Sequence, residues 1–245
     1  MIFTAKEQKK IEKSAVDKGI SLKSLMENAG TASFQYIIDN FSVNGKKITI
    51  LCGNGGNGGD SLVIARYLKE AGAHPLVVIC CGKPKDINAE LMYELALNAN
   101  VEIIHLSDDI NRITDEIKRC SLIIDAVYGI GFHGELSEDI SALFSFINES
   151  DVTVIAVDIP SGVNATTGEA DKNAIKADLT LCFVAKKIAH ILKRSLQYCG
   201  DCILLDIGIP DECFSEVIPE VEEIDLKLIS GMMSKRSEVS HKGNF

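Results

Sequence analysis

The residues with the clearest capacity for chemistry form a glycine-rich segment, G-N-G-G-N-G-G-D, at positions 53–60. An apolar run at 48–52 precedes this segment, and apolar positions at helical spacing follow it from Leu62. Glycines let backbone N–H groups approach a ligand closely, and a helix N-terminus favours an anion. The pattern therefore predicts a phosphate-binding turn between a buried strand and a helix that Asp60 opens. A plain turn without a ligand would need only one or two glycines.

Gly53, Gly55 and Gly58 also match the G-x-G-x-x-G pattern of dinucleotide-binding proteins. In nicotinamide dehydrogenases, a carboxylate follows about 20 residues later, at the end of the next strand. The next predicted strand ends instead in Cys-Gly-Lys-Pro at 81–84, and no Gly-Lys-Ser/Thr follows the glycines. The sequence therefore argues against a conventional dehydrogenase and against a P-loop enzyme.

Two carboxylates stand at the ends of apolar, strand-like runs. Asp125 follows Leu-Ile-Ile, and Asp158 follows Val-Ile-Ala-Val. A carboxylate in such a place is costly unless it is paired or bound to a cation. With the Asn57 amide and the Ser161 hydroxyl, the two carboxylates offer oxygen ligands, which suit an alkali or alkaline-earth ion. A single Asp at a strand end more often caps a helix or turn, but two at one edge favour a site.

Three further features can face the same edge. The segment Gly129–Gly131 can form a second backbone anion site. Lys187 follows a predicted strand and can reach the cleft, although a solvated surface lysine is the competing interpretation. His133 is a weaker acid–base candidate because a loop histidine is more often simply exposed.

The elements that position these residues alternate along the chain. Capping residues Thr4 and Ser21 open two N-terminal helices. Strands are predicted at 47–52, 75–81, 101–106, 121–127, 152–158, 178–184 and 202–208, and further helices at 60–71, 86–98, 108–119, 137–148 and 187–197. This alternation predicts a three-layer α/β/α, Rossmann-like fold with a mostly parallel central sheet. From about Pro210 the pattern fades into an acidic, irregular tail.

The composition of the chain further limits the classes of function that the protein can have. The chain has 245 residues and a formal net charge of −10, which argues against nucleic acid as a partner. The polar N-terminus predicts no secretion signal, and no apolar run approaches the roughly 18 residues of a membrane span. The eight cysteines lack zinc-site spacing, and Cys199-Gly-Asp-Cys202 is interpreted as a turn between elements. We therefore expect a reduced, cytoplasmic protein.

In this order, the segments resemble the YjeF N-terminal domain family, the NAD(P)H-hydrate epimerases. That family shows G-P-G-N-N-G-G-D-G, D-A-x-x-G-x-G, D-I-P-S-G, T-x-x-F-x-x-x-K and D-I-G-I-P. The corresponding segments here are GNGGNGGDS at 53–61, DAVYGIG at 125–131, DIPSG at 158–162, Thr180/Phe183/Lys187 and DIGIP at 206–210. MENAG at 26–30 also resembles the family's N-terminal helix. Asn54, Gly56 and Ser61 depart from the family pattern. Gly56 leaves only backbone groups to contact a ligand.

The resemblance implies a potassium ion held by Asn57, Asp125 and Ser161. It also implies that the substrate lies against two loops and one strand end. The implied substrate-binding residues are Gly56, Asn57, Gly58, Gly59, Asp60, Gly129, Ile130, Gly131, Phe132, His133, Gly134, Glu135 and Asp158. Asp158 is the first candidate for the catalytic proton-transfer group, and Lys187 is the second.

The implied reaction inverts C6 of hydrated NADH or NADPH (NADHX or NADPHX) between its R and S forms. C6 bears a hydroxyl and the ring nitrogen, so inversion can proceed by ring opening or by loss of water through an iminium. Either route needs a general acid or base and a polar pocket. The alternative within the family is a non-catalytic dimerisation or scaffold module that binds a nucleotide-like ligand. The four polar residues Asn57, Asp125, Asp158 and Ser161 favour the enzyme, which we expect to be a homodimer.

The last residues, KRSEVSHKGNF at 235–245, resemble the start of the dehydratase domain that follows the epimerase domain in two-domain family members. We therefore expect an epimerase domain at 1–225 and, at 226–245, a linker with the beginning of a dehydratase domain. On this interpretation the full-length protein is a bifunctional repair enzyme.

Overall fold

A computed structural model describes residues 2–221 and 229–230. Its strands are β1 (Ile2–Phe3), β2 (Lys47–Cys52), β3 (His74–Ile79), β4 (Glu102–His105), β5 (Leu122–Ala126), β6 (Val154–Val157), β7 (Leu179–Phe183), β8 (Lys186–Lys187) and β9 (Asp201–Leu205). Its α-helices are α1 (Ala5–Asp17), α2 (Leu22–Asn40), α3 (Gly56–Glu70), α4 (Ile87–Asn98), α5 (Ile110–Ile117), α6 (Glu138–Asn148), α7 (Lys193–Cys199) and α8 (Asp211–Ser215). A short 3-10 helix spans Ile188–His190.

Seven parallel strands form the central sheet, in the order β4-β3-β2-β5-β6-β7-β9. One apolar core packs α2, α3 and α4 against the sheet, and a second packs α5 and α6 against its other face. The predicted α/β fold with a mostly parallel sheet is therefore confirmed. The strand order reverses between β2 and β5, and ligands of such sheets bind at this point beyond the carboxyl ends.

The structure differs from the sequence predictions at three elements. Helix α3 begins at Gly56 rather than at Asp60, because tertiary packing overrides the poor helix propensity of glycine. The helix predicted at 187–197 is instead strand β8, the 3-10 helix and α7. The tail after Pro210 is not wholly irregular, since it contains α8.

Close packing between α2 and α3 requires glycine at two positions. A Cβ on Gly30 would lie 2.4 Å from Cβ of Val63, so Gly30 lets α2 approach α3. A Cβ on Gly59 would lie 2.5 Å from Sδ of Met26, on the same pair of helices. The MENAG segment at 26–30 thus serves helix packing on the face that lies beside the glycine-rich turn.

We expect Gly53→Ala to destabilise the protein by about 1–3 kcal/mol, the usual cost of overpacking. A Cβ at this position would lie 1.9 Å from the Val127 carbonyl oxygen. Gly56→Ala is the matched control, since nothing lies within 4 Å of its Cβ position and alanine favours the helix. Urea denaturation of the two variants would measure the difference. Equal stability of both variants would contradict the close approach.

Both ends of the described chain converge on α1 and on the strand that bears Lys187. Ile2 pairs with Lys186 in parallel and forms an antiparallel bridge with Val221. The carboxylate of Glu7 accepts hydrogen bonds from the amides of Thr4 and Glu220. The proposed boundary near 225 stays a prediction, and the segment 226–245 lies outside the described residues except for 229 and 230.

No helix in the described ranges is long and apolar enough to cross a membrane.

Candidate active site at the carboxyl end of the sheet

A cavity of about 430 Å³ opens beside the first turn of α3. The turn Asn54–Asn57 and the loop Val127–Phe132 form one side, and α1 and α2 form the other. Asp158 and Phe183 close the cavity at the strand ends. Its volume lies in the range of about 300–1,000 Å³ that is usual for small-molecule sites. The cavity is therefore the candidate ligand site.

A buried ion pair lies at one wall of this cavity. The Lys187 ammonium contacts Oδ1 of Asp158, and the two side chains are only 1% and 8% exposed. The same ammonium donates to the carbonyl oxygen of Phe183 at 2.8 Å. The amide of Phe183 donates to Asp158 Oδ1 at 3.2 Å. Lys187 is therefore not a solvated surface lysine but a fixed partner of the carboxylate.

Strained backbone holds this pair in place. Asp158 has a φ of 64°, and Val184, between Phe183 and Lys187, also has a φ of 64°. Left-handed backbone is tolerated by Asp but is an outlier for a β-branched residue, and such strain costs about 1–3 kcal/mol. The Asp158 amide donates to the carbonyl oxygen of Leu181 at 2.7 Å, which helps to hold the turn. Strain of this kind is typical of functional sites.

Four carboxyl groups line the cavity, and one of them, Asp86, caps α4 by accepting the amides of Asn88 and Ala89. The other three are Asp60, Asp158 and Glu12, and only Asp158 has a cationic partner among the described residues. Burial raises the pKa of Asp60 well above its ordinary value, and the charges of Asp158 and Glu12 raise it further. Burial also raises the pKa of Glu12. The site therefore holds one paired carboxylate beside two carboxyls whose pKa values are raised by burial.

A second group of polar residues forms an oxygen cluster around the backbone of Tyr128. Its carbonyl oxygen accepts from Nδ2 of Asn57 at 3.1 Å and from Oγ of Ser161 at 3.3 Å. Its amide donates to Oγ of Ser161 at 2.8 Å. Asp125 accepts from the amides of Ser161 and Val127, at 2.7 and 3.3 Å. We call Asn57, Asp125 and Ser161, with the Tyr128 carbonyl, the oxygen cluster.

Two observations fit this cluster to a hard cation. Oδ1 of Asn57 is buried and has no hydrogen-bond partner in the described part of the chain. Asp125 is fully buried without a cationic side chain in the same ranges, and burial raises its pKa to about 6. An orphaned amide oxygen beside a buried carboxylate is the donor chemistry that an alkali ion requires.

The structure separates the two carboxylates that the sequence predicts at one edge. Asp125 lies within β5 and belongs to the oxygen cluster. Asp158 lies one residue past β6, where its left-handed backbone turns it towards β7 and Lys187. The two strand ends therefore supply two adjacent sites rather than one.

The predicted substrate-binding residues divide into three groups. The residues that line the cavity are Gly56, Asn57, Asp60, Gly129, Ile130, Gly131, Phe132 and Asp158. His133, Gly134 and Glu135 are exposed beyond the lining, and Nδ1 of His133 lies 3.1 Å from the Gly131 carbonyl oxygen. Gly58 and Gly59 are buried, and a Cβ on Gly58 would lie 2.1 Å from the carbonyl oxygen of Gly53. These two glycines serve close packing beside the cavity.

Sequence reasoning missed the contribution of the two N-terminal helices and of one side chain near Lys187. Gln8, Lys9 and Glu12 line the cavity from α1, and their spacing on one helical face was the available signal. His190 Nδ1 accepts the Lys187 amide at 3.1 Å. Burial and the charge of Lys187 lower the pKa of His190 to about 4, so its imidazole is neutral. No local pattern predicts that contact.

Comparison with known proteins identifies the relatives of this chain. The family model described as YjeF-related protein N-terminus matches residues 22–189. The chain is 31% identical to the "Bifunctional NAD(P)H-hydrate repair enzyme Nnr" of Dictyoglomus turgidum, over 99% of this chain and 47% of that protein. It is 30% identical to the protein of the same name from Coxiella burnetii, over 100% of this chain and 49% of that protein. The chain therefore spans about half the length of these two relatives.

A shorter relative matches along nearly its whole length. The "NAD(P)H-hydrate epimerase" of Elusimicrobium minutum is 32% identical, over 87% of this chain and 98% of that protein. The crystal structure of yeast ynu0 has the same fold, with a TM-score of 0.76, 21% identity and coverage of 88% of this chain and 93% of that one. On the extent of the family match and of these alignments, the chain belongs to the family of YjeF-related N-terminal domains.

Proposed function

We propose that this protein epimerises C6 of hydrated NADH and NADPH, and so acts in the repair of damaged nicotinamide nucleotides. The observation that carries the proposal is the buried Asp158–Lys187 pair, which borders a cavity faced by the glycine-rich turn. A carboxylate held in a fixed position by a cationic partner is suited to proton transfer. The names of the relatives support an epimerase rather than a non-catalytic scaffold module.

The cavity suits a dinucleotide whose nicotinamide end lies at Asp158. Gly55 and Gly56 leave open space on the cavity side, so backbone N–H groups of the first turn of α3 are accessible to a phosphate. The loop Gly129–Phe132 lines the same opening. The hydrated ring would then occupy the inner part, among Asp60, Glu12 and Asp158.

Asp60 and Asp158 are suited to opposite roles. The two carboxyls lie in different environments, since Asp158 is paired with Lys187 whereas Asp60 has no ion pair among the described residues. Asp60 is the acid, since its raised pKa keeps a proton available for the departing group at C6. Asp158 is the base, which takes a proton as the new C6 bond forms on the opposite face. These assignments hold for ring opening and for the iminium route.

The direct test uses chirally pure R hydrate of NADH as the substrate. We expect the protein to produce the S form until the two epimers equilibrate, as followed by chiral chromatography. Parallel reactions without protein give the spontaneous rate. Conversion no faster than that rate, under several salt conditions, would refute the proposed reaction.

We expect Asp60→Asn to lower epimerisation by about 100-fold, the low end for loss of a general acid. The substitution preserves side-chain volume and leaves the Asp158–Lys187 pair intact. Glu12→Gln is the matched control, because Glu12 also faces the cavity but is engaged by Gln8 Nε2 at 2.8 Å. Steady-state rates of both variants would measure the difference. A larger loss for Glu12→Gln would contradict the assignment of Asp60.

We propose that the oxygen cluster binds potassium through Asn57, Asp125 and Ser161. The ion would satisfy the orphaned Oδ1 of Asn57 and compensate the buried Asp125 carboxylate. Because Asn57 lies in the first turn of α3 and Ser161 follows β6, a bound ion would tie the two cavity-forming segments together. When bound, it supplies fixed positive charge near the substrate's phosphates.

A potassium-specific gain in stability tests this site. A ligand of the native state adds about 1.4 kcal/mol for each tenfold excess over its Kd. We expect the melting temperature to be higher in potassium chloride than in tetramethylammonium chloride at equal ionic strength. Asp125→Asn, which removes the charge and keeps an oxygen for only one of the two amide hydrogen bonds, should abolish the difference. A wild-type protein that melts identically in both salts would contradict the site.

We propose further that the full-length protein is a homodimer and carries a fused dehydratase domain. The two bifunctional relatives support the second domain, and the resemblance of residues 235–245 to a dehydratase start agrees with them. The 245-residue chain should then epimerise the hydrate without regenerating NADH. The reading frame beyond Phe245 tests the fusion, and light scattering tests the dimer. A stop codon directly after Phe245 would refute the fusion. A monomer in solution would refute the homodimer.

A further inference from the structure

Three side chains of metal-ligating type lie close together, and one of them contacts the backbone of Lys187. The Sγ atoms of Cys182 and Cys202 and a ring nitrogen of His190 all lie within 4.8 Å of one another. Cys182 Sγ is 3.5 Å from His190 Nδ1 and 3.9 Å from Nε2. Metal bonds of about 2.3 Å to sulfur and 2.0 Å to nitrogen in a tetrahedral site separate ligand atoms by roughly 3.5–3.8 Å. The cluster is already near that spacing.

The cluster is built by three separate elements of the fold. Thr180 of β7 pairs with Cys202 of β9, so Cys182 and Cys202 lie two positions apart on neighbouring strands and share one face. His190 reaches them from the 3-10 helix. Cys182 and His190 are buried, whereas Cys202 is half-buried and leaves an entry from the surface. Rigid, mostly buried ligands with one accessible donor are typical of a preformed site.

A fourth donor is available next to the cluster. Cys199 ends α7, where its thiol neighbours the thiol of Cys202 and donates to the carbonyl oxygen of Ala189 at 3.8 Å. All eight cysteines are free thiols. Two or three sulfur ligands with one imidazole match the ligand sets of zinc rather than of magnesium or potassium.

We propose that Cys182, His190 and Cys202 bind one thiophilic ion of the Zn²⁺ type, with Cys199 available as the fourth ligand. This site is distinct from the oxygen cluster, whose donors suit a hard alkali ion. Binding replaces the protons of the coordinating thiols, which pass to solvent.

The proposed site is coupled to the ion pair in the cavity wall. His190 Nδ1 already accepts the amide proton of Lys187, and Nδ1 is also the ring nitrogen closer to Cys182. One lone pair cannot serve the amide and a metal ion together. Metal bound through Nδ1 would therefore release the Lys187 backbone amide from its acceptor, whereas the two thiolates would offset the charge of the ion. We expect occupancy to slow any reaction that depends on Asp158 and Lys187.

Metal titration of the full 245-residue chain tests the site directly. The reduced, chelator-treated protein is titrated with Co²⁺ as a spectroscopic probe, and Zn²⁺ affinity is measured by competition with a chromophoric chelator. We expect one equivalent, with the sulfur-to-cobalt charge-transfer band of a thiolate site. Cys202→Ser should weaken Zn²⁺ binding by at least about 100-fold, since even an outer-shell partner is worth about 10–100-fold.

Cys80→Ser is the matched control, because Cys80 is also a half-buried thiol beside a strand of the same sheet. It should bind Zn²⁺ like the wild type. His190→Asn provides a second ligand variant, and its far-UV circular dichroism confirms folding. Absence of stoichiometric binding, or binding that both ligand variants retain, would overturn the proposal. So would binding that Cys80→Ser removes.

A second measurement tests the coupling and rests on the proposed epimerase function. One equivalent of Zn²⁺ should lower the kcat of the wild type, and Cys202→Ser should resist this inhibition. Equal inhibition of both proteins would overturn the coupling, because the ion would then act in the carboxylate-lined cavity. If the protein shows no epimerase activity at all, the proposed function fails while the binding titration still decides the metal site.

Discussion

Asp158→Asn should lower kcat/KM for epimerisation by about 10²–10⁴-fold, the usual effect of removing a general acid or base. The amide keeps an oxygen that can accept from Lys187 and from the Phe183 amide, so the geometry of the cavity wall is preserved. What disappears is the group that can take a proton. Comparison of kcat/KM between variant and wild type, with the R hydrate as substrate, measures the loss.

The variant also leaves the Lys187 ammonium buried without a counter-charge, so its melting temperature should fall although the fold is retained. The double variant Asp158→Asn/Lys187→Met separates the two effects. It should recover stability relative to Asp158→Asn because no unpaired charge remains, and it should stay inactive. Activity near that of the wild type in either variant would refute the role of Asp158.

Lys187→Met should destabilise the protein by about 3–5 kcal/mol, the cost of leaving one member of a buried ion pair uncompensated. The methionine fills the volume of the lysine stem, so the loss reports mainly on the charge. Lys187 and Asp158 are nearly excluded from solvent, and water therefore screens their interaction little. Urea denaturation of both proteins measures the change in the free energy of unfolding.

Lys186→Met is the matched control, since Lys186 is the neighbouring half-buried lysine of β8 and has no ion pair among the described residues. Its stability should stay within about 0.5 kcal/mol of the wild type, as for most surface substitutions. If both substitutions cost the same, the buried pair is not what makes Lys187 important. A destabilised Lys187→Met that keeps full activity would limit Lys187 to a structural role.

Local sequence patterns were enough to predict most of the fold. The strands of the central sheet were predicted in number and approximate position, because buried parallel strands appear in a sequence as short apolar runs between helices. The boundaries that failed lie where tertiary contacts outweigh local propensity. Helix α3 begins four residues before Asp60, since the packing of Gly58 and Gly59 against neighbouring backbone and α2 stabilises a helical turn of poor formers.

The candidate site was also predictable only in part from local sequence patterns. Asp125, Asp158, Asn57 and Ser161 were predictable, because polar residues at strand ends and in a glycine-rich turn stand out in an apolar context. Which of these residues belong to the oxygen cluster and which to the ion pair with Lys187 was not predictable. The left-handed backbone at Asp158, with a φ of 64°, directs its carboxylate to a lysine rather than to the oxygen cluster, and no local pattern specifies that angle.

The sequence by itself determined the α/β class, the edge of the sheet that holds the candidate site, and the family. These depend on periodicity and on motifs whose residues are close in the chain. Only the tertiary structure decided that Lys187 is buried against Asp158 and that Cys182, His190 and Cys202 meet. Those contacts join residues 8 to 29 positions apart through strand register and a strained turn. No local pattern encodes them, because their geometry exists only once the sheet has formed.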